Sequence, residues 1–241
     1  MYLENFSLIN QVYLYKFMNY LFKNFFRSFF TKGVVSFGLI FFNYIIALIL
    51  GYEELGKIIV GFSIITGLSV FSRFGLNQSL LKFSSIYFDK NKIDSLKEHI
   101  KISSTYIIFF SLFFSAILII FRNNLSLFLY NSNNYSDIFF FSGLILPFLT
   151  FIHIQRAILK SFKLPATSNF STFNSILLLS SVLSFFAFIL NYDLNTNRVY
   201  FIIFISTLLI FGLNNLLIIF VTAGIMEKDD LQITDVKSNF T

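Results

Sequence analysis

The chain of 241 residues has no cysteine and no tryptophan, two prolines, two histidines, and charge on only 12% of its positions. Without cysteine, disulfides, thiolate metal sites and cysteine nucleophiles are excluded, and the redox compartment leaves no trace in the sequence. His99 and His153 are too few for a histidine metal cluster. No paired acids, nucleophile and base set, or metal-ligand spacing stands within or beside the apolar runs, so the residues point to no enzyme, no metal and no cofactor. The twelve acids all fall in loops, tails or the ends of those runs, with Glu53, Glu54, Asp137 and Asp193 among them. No Pro-rich, Gly-rich or repetitive linker divides the chain.

What is abundant is hydrocarbon. Hydrophobic residues make up 56% of the chain and the mean hydropathy is +0.75, more than a water-facing fold needs. Crossing about 30 Å of hydrocarbon takes roughly 20 apolar residues. Six segments meet or approach that length: Gly33 to Leu50, Ile58 to Leu76, Ile102 to Phe121, Ile138 to Ala157, Thr167 to Leu190, and Val199 to Thr222. Lipid offers no partner to an exposed backbone amide, and nothing alternates as barrel strands do, so the spans are expected to be helices. The fold class is therefore all-α, a polytopic six-span transmembrane bundle over residues 33–222. The 37 phenylalanines read as lipid-facing filler.

The formal charge of +6 does not indicate nucleic acid, because the cations cluster at the ends of apolar runs. Fifteen of the eighteen Lys and Arg residues lie on one side of the six spans, and only Lys57, Arg122 and Arg198 on the other. That bias predicts both termini on the cytoplasmic side of a bacterial inner membrane. Residues 1–32 lack a signal-peptide cleavage site. Lys16, Lys23 and Arg27 form one basic stripe among phenylalanines, as in an interfacial amphipathic helix drawn to anionic lipid. The segment from Asp89 to Lys101 alternates in sign and reads as a solvated loop or short surface helix. Residues 223–241 read as a polar cytoplasmic tail.

Polar residues inside the spans are the candidate functional positions. Ser104, Ser111 and Ser115 share a face of the third span, and Asn169, Thr172, Ser180 and Ser184 an arc of the fifth. Ser206, Thr207 and Asn214 do the same in the sixth, and Ser63 with Gly67 makes a small-xxx-small pair in the second. Two readings stay open for these stripes, close helix packing and a hydrated cavity. Pro147 should kink the fourth span. Beyond it His153, Arg156 and Lys160 fall at i, i+3 and i+7, three potential cations on one face, and Arg73 ends the second span. They either snorkel to headgroups or form a basic mouth that receives an anion. Asn43, near the centre of the first span, needs a partner from another helix or from water. A membrane interior with cations and amides but no carboxylate suits an anionic cargo better than a cationic one.

Leu50-Gly51-Tyr52-Glu53-Glu54-Leu55-Gly56, then Gly75-Leu76, then Leu80-Leu81-Lys82-Phe83-Ser84-Ser85, resembles the N-terminal region of the polysaccharide-biosynthesis flippases. These are the Wzx-type O-antigen repeat-unit transporters of the MATE-like multidrug/oligosaccharidyl-lipid/polysaccharide superfamily. Pro147 followed by Arg156-Ala157-Ile158-Leu159-Lys160 is similar to the same family. The resemblance implies one six-helix lobe of a two-lobed fold, completed by a second lobe or a second copy. It implies translocation of undecaprenyl-diphosphate-linked oligosaccharide from inner to outer leaflet, in the company of polysaccharide polymerase and glycosyltransferases. On that expectation Arg73, His153, Arg156, Lys160, Asn43, Asn169 and Asn214 contact the substrate. The alternatives are a MATE-like drug or cation exporter lobe, or a non-transporting scaffold of the assembly machinery.

Overall fold

The computed structural model describes residues 2–90 and 92–238, without the side chains of residues 2–17, 19, 20, 89, 93 and 223–238. Helix accounts for 90% of the chain, and no strand is present among the described residues. In chain order the helices are α1 (Tyr2–Leu50), α2 (Tyr52–Arg73), α3 (Leu76–Asp89), α4 (Ile93–Ile120), α5 (Arg122–Tyr130), α6 (Ser136–Ser161), α7 (Pro165–Ser168), α8 (Phe173–Ile189) and α9 (Thr196–Ser238), with a 3-10 turn at Asn133–Tyr135. Stretches of α1, α2, α4, α6 and α9 are long and apolar enough to cross a bilayer, and α8 is a shorter apolar helix. The all-α class and the multi-span character thus hold, with five full-length spans and a sixth of 17 residues.

Several boundaries differ from the sequence expectation. The first apolar stretch begins at Leu21, and α1 passes through Lys32 without a break. Lys16 of the basic stripe lies outside the described side chains, whereas Lys23 and Arg27 are described and Phe22, Phe25, Phe26 and Phe29 are exposed. The second span ends at Arg73, not Leu76, because Phe74 (φ 43°) and Gly75 (φ 75°) turn the chain in the left-handed region. Glycine takes that conformation without a Cβ penalty. Polar residues after the turn form α3, and α4 begins at Ile93, so the alternating-sign segment is mostly the first turns of a long helix.

The fifth expected span is divided. Lys163 (φ 59°) and Pro165 stop α6 and start the single turn of α7, and Thr172 is extended (φ −134°, ψ 160°) before α8 begins. Asn169 and Thr172 therefore do not share a helix with Ser180 and Ser184. Ser180 and Ser184 are fully buried on α8.

α6 is the central element, with 56% of its apolar stretch buried against 28–33% for the other four long spans. It packs against α2, α3, α4, α5, α7 and α9, while α8 bridges α1 and α9. Phe42 and Ile46 of α1, Ile58 of α2, Leu149 of α6, Ile176 of α8 and Ile203 of α9 join one buried cluster. In lipid this cluster gains little from hydrophobic transfer, since the tails outside are as apolar as the core. Close approach and interhelical hydrogen bonds hold the helices.

The close approaches occur at Gly38, Gly61 and Gly143. A Cβ on Gly143 would lie 2.6 Å from Ile119 Cγ1 and 3.1 Å from the Ser115 carbonyl oxygen. Gly67 has nothing within 4 Å of such an atom and Ser63 is exposed, so the Ser63/Gly67 pair is not a packing seam.

Pro147 leaves α6 as one continuous helix from Ser136 to Ser161. Lacking an amide hydrogen, it cannot donate to the carbonyl of Gly143 four residues earlier. Ser115 Oγ of α4 donates to that carbonyl instead, at 2.6 Å. The freed acceptor becomes an interhelical contact at the point where the glycine lets α4 come closest.

Candidate functional site

Arg73 closes α2, and the turn at Phe74 and Gly75 brings the start of α3 back beside it. On α6, His153, Arg156 and Lys160 descend one face at helical spacing. These four residues, with Asn77, Gln78, Leu81 and Ala157, line a cavity of about 200 Å³ at the lysine- and arginine-rich end of the bundle. Four of the seven positions singled out in the sequence thus meet in one place, although Arg73 lies about eighty residues before the other three, a long-range packing that no local periodicity encodes.

The electrostatics of the cavity are one-sided. Arg73 Nε donates to the Ser69 carbonyl of its own helix at 2.8 Å, which fixes the root of its guanidinium. Arg156 Nε is buried without a hydrogen-bond partner among the described residues, as is Asn77 Oδ1. Among the described residues, no acid lines the cavity. The first turn of α3 adds the partial positive charge of a helix N-terminus. An unpartnered guanidinium N–H in a site without carboxylates leaves a donor for an anion or for water.

The three cations at the opposite end are arranged differently. Lys57 bonds Glu54 at 2.5 Å and approaches Glu53 at 3.4 Å. Arg122 lies over the Phe140 ring at 5.3 Å. Arg198 donates to the Asp193 carbonyl and covers Tyr192 at 4.8 Å. Each is engaged within the protein. Glu54 also accepts from Thr196, and Asp137 accepts from Asn197 Nδ2 at 2.8 Å, so these acids tie α2 and α6 to the start of α9.

The three asparagines lie elsewhere. Asn43 is half-buried on α1, away from the cationic cavity. Asn169 Nδ2 donates to the Ser28 carbonyl at 3.0 Å and to Thr31 Oγ1 at 3.0 Å, which anchors the link between α7 and α8 to α1. Asn214 is buried, accepts from Ser171 Oγ at 3.0 Å, and faces an apolar groove between α8 and α9. Asn77 and Gln78 were not singled out from the sequence. Their only signal is Gly75, which marks a stop after Arg73 and hence a second helix start beside it.

The chain matches no family model, no curated protein and no solved structure.

Several hydroxyls of the stripes bond within their own helices, while Ser184 Oγ is buried with no partner among the described residues. Ser111 and Ser180 bond carbonyls three residues back, and Ser206 and Thr207 bond carbonyls four residues back. Thr150 bonds the Leu146 carbonyl at 2.7 Å and meets Ser69 of α2 at 3.5 Å. Gln155 Nε2 donates to the Phe211 carbonyl at 3.2 Å and holds α6 to α9 one residue from Arg156. The cavity is therefore mounted on helices whose relative positions are fixed by cross-links around it.

Proposed function

We propose that this protein moves an anionic, lipid-linked oligosaccharide across the bacterial inner membrane, with the cavity at Arg73, His153, Arg156 and Lys160 receiving its diphosphate. The observation that carries the reading is the contrast between the two ends. Cations at one end are partnered by the protein, whereas Arg156 and Lys160 have no partner among the described residues and converge with Arg73 on a site without acid.

Size supports a headgroup-only role. At about 200 Å³ the cavity is smaller than the roughly 300 Å³ at which drug-sized pockets begin. A diphosphate fits such a volume and an oligosaccharide does not. The sugars then pass along a wall supplied by a second lobe or a second copy of the chain. The absence of a carboxylate from the cavity counts against the cation-exporter alternative, because a cationic cargo would meet repulsion there.

With both termini inside, the cavity opens to the cytoplasm and receives substrate from the leaflet where it is made. Outward transfer of two negative charges is favoured by roughly 4 to 5 kcal/mol per 100 mV, interior negative. The membrane potential therefore suffices to bias direction without a coupling ion.

Reconstituted vesicles containing a short-chain polyprenyl-diphosphate glycolipid test the proposal. The protein should accelerate its transfer between leaflets. Arg156→Gln with Lys160→Gln should slow transfer about tenfold or more, the effect of losing charge-assisted contacts, while membrane insertion stays normal. Transfer no faster than in protein-free vesicles refutes the flippase reading. Normal transfer by the double variant assigns Arg156 and Lys160 to lipid headgroups instead.

A further inference from the structure

A second site lies away from the cationic cavity. Between α8 and α9 runs a groove of about 450 Å³ whose walls are almost wholly hydrocarbon, with Leu178, Leu179 and Val182 on one side and Ile210, Leu213 and Leu217 on the other. Leu213 and Leu217 are exposed, so the groove opens onto the lipid-facing surface. Among the described residues, none that lines it is charged.

One atom in this wall is out of keeping with the rest. Asn214 is 3% exposed, its Oδ1 is taken by Ser171 Oγ, and its Nδ2 is buried with no acceptor among the described residues. At this depth an unpaired amide donor costs free energy that hydrocarbon cannot offset. Thr167 and Ser175 line the groove too, and both belong to its end nearest α7. Val182 lies seven residues beyond Ser175 on α8, about 10 Å further along the axis at 1.5 Å per residue. The groove is thus polar at the end nearer the lysine-rich face and apolar toward the membrane interior.

We propose that this groove holds one acyl chain of a glycerophospholipid, with the ester carbonyl accepting a hydrogen bond from Asn214 Nδ2. Its polarity runs in the direction of a phospholipid in that leaflet, with ester at the level of Asn214 and tail toward the midplane. A polyprenyl chain fits less well, because its hydrocarbon offers no acceptor and its diphosphate would meet no cation in the groove. The site does not depend on the transport reading: it concerns a resident lipid, not a cargo.

Retention of ester-linked and ether-linked phospholipids of equal chain length by the purified full chain, measured by native mass spectrometry, tests the assignment without altering the protein. The ester lipid should be retained roughly fivefold better, the factor one net hydrogen bond supplies. Asn214→Leu should abolish that preference, and Leu179→Trp should displace both lipids by filling the groove. A phospholipid with a diazirine in its acyl chain should label α8 and α9 in preference to the exposed Leu112 face of α4. Equal retention of the two lipids, or labelling spread evenly over α4, α8 and α9, overturns the proposal. So does a disulfide between two copies through Val182→Cys, which in a chain with no other cysteine reports a second copy in the groove.

Discussion

Tyr200 is fully buried, and its hydroxyl lies 3.4 Å from the carbonyl oxygens of both Lys57 and Ile58 while its ring stacks on Phe141 with centroids 5.5 Å apart. One side chain of α9 is thereby pressed between α2 and α6. The space it needs is provided by Gly61, where an added Cβ would fall 2.1 Å from the hydroxyl. Gly61→Ala should therefore destabilise the protein by about 1 to 3 kcal/mol, the usual cost of overpacking, in reversible unfolding from mixed micelles. Gly67→Ala, on the same helix with open space around it, should be neutral or slightly stabilising. Sequence spacing pointed to Gly67 and overlooked Gly61, since both are glycines in an apolar run. Only the partner on α9, about 140 residues away, separates them, and small-residue patterns carry no record of a partner. The cations of α6 were legible for the opposite reason. His153, Arg156 and Lys160 meet by local helical spacing alone, which the sequence states directly.

At the scale of elements, the α4 and α6 pair rests on three residues with complementary roles. Gly143 permits close approach, Pro147 frees the Gly143 carbonyl, and Ser115 occupies it. A double-mutant cycle should expose the dependence. Ser115→Ala should cost about 1 kcal/mol in the native background, near the range found for hydrogen bonds between membrane helices. It should cost much less in a Pro147→Ala background, where the restored amide serves the same carbonyl. Equal costs in the two backgrounds would mean that the serine acts only by packing. The kink expected from Pro147 was a statement about one helix, and the structure turns it into a statement about two. The divided fifth span was illegible for a related reason. Residues 167–190 read as one apolar run, yet Asn169 is held by Ser28 and Thr31, and that long-range attachment pulls the link out of helical register.

The whole molecule presents hydrocarbon outward. Phe25, Phe109 and Phe220 are 65%, 65% and 81% exposed, on three different long helices. Such a surface is unstable in water and ordinary in lipid. The distribution of Lys and Arg then predicts orientation, and the lack of native cysteine makes it measurable. A cysteine introduced at exposed Asn124 should react with an impermeant maleimide on intact cells. One at exposed Lys97 should react only after permeabilisation. The reverse pattern would invert the topology and place the cationic cavity on the outer face. Composition made the all-helical, multi-span character readable at once, and the charge bias supplies the orientation that the labelling checks. Which spans would surround α6, and that Arg73 would turn toward it, required the tertiary contacts.

The 17 residues of α8 have a consequence for the membrane itself. At 1.5 Å per residue the helix covers about 26 Å, short of the roughly 30 Å of hydrocarbon in an average bilayer. Lipid beside α8 must compress, or headgroups must bend inward at its ends, at a modest elastic cost per ångström. The other long helices impose no such demand. The protein should therefore carry a one-sided dimple in the surrounding bilayer along α8, and membranes of thinner average core should accommodate it with the least distortion.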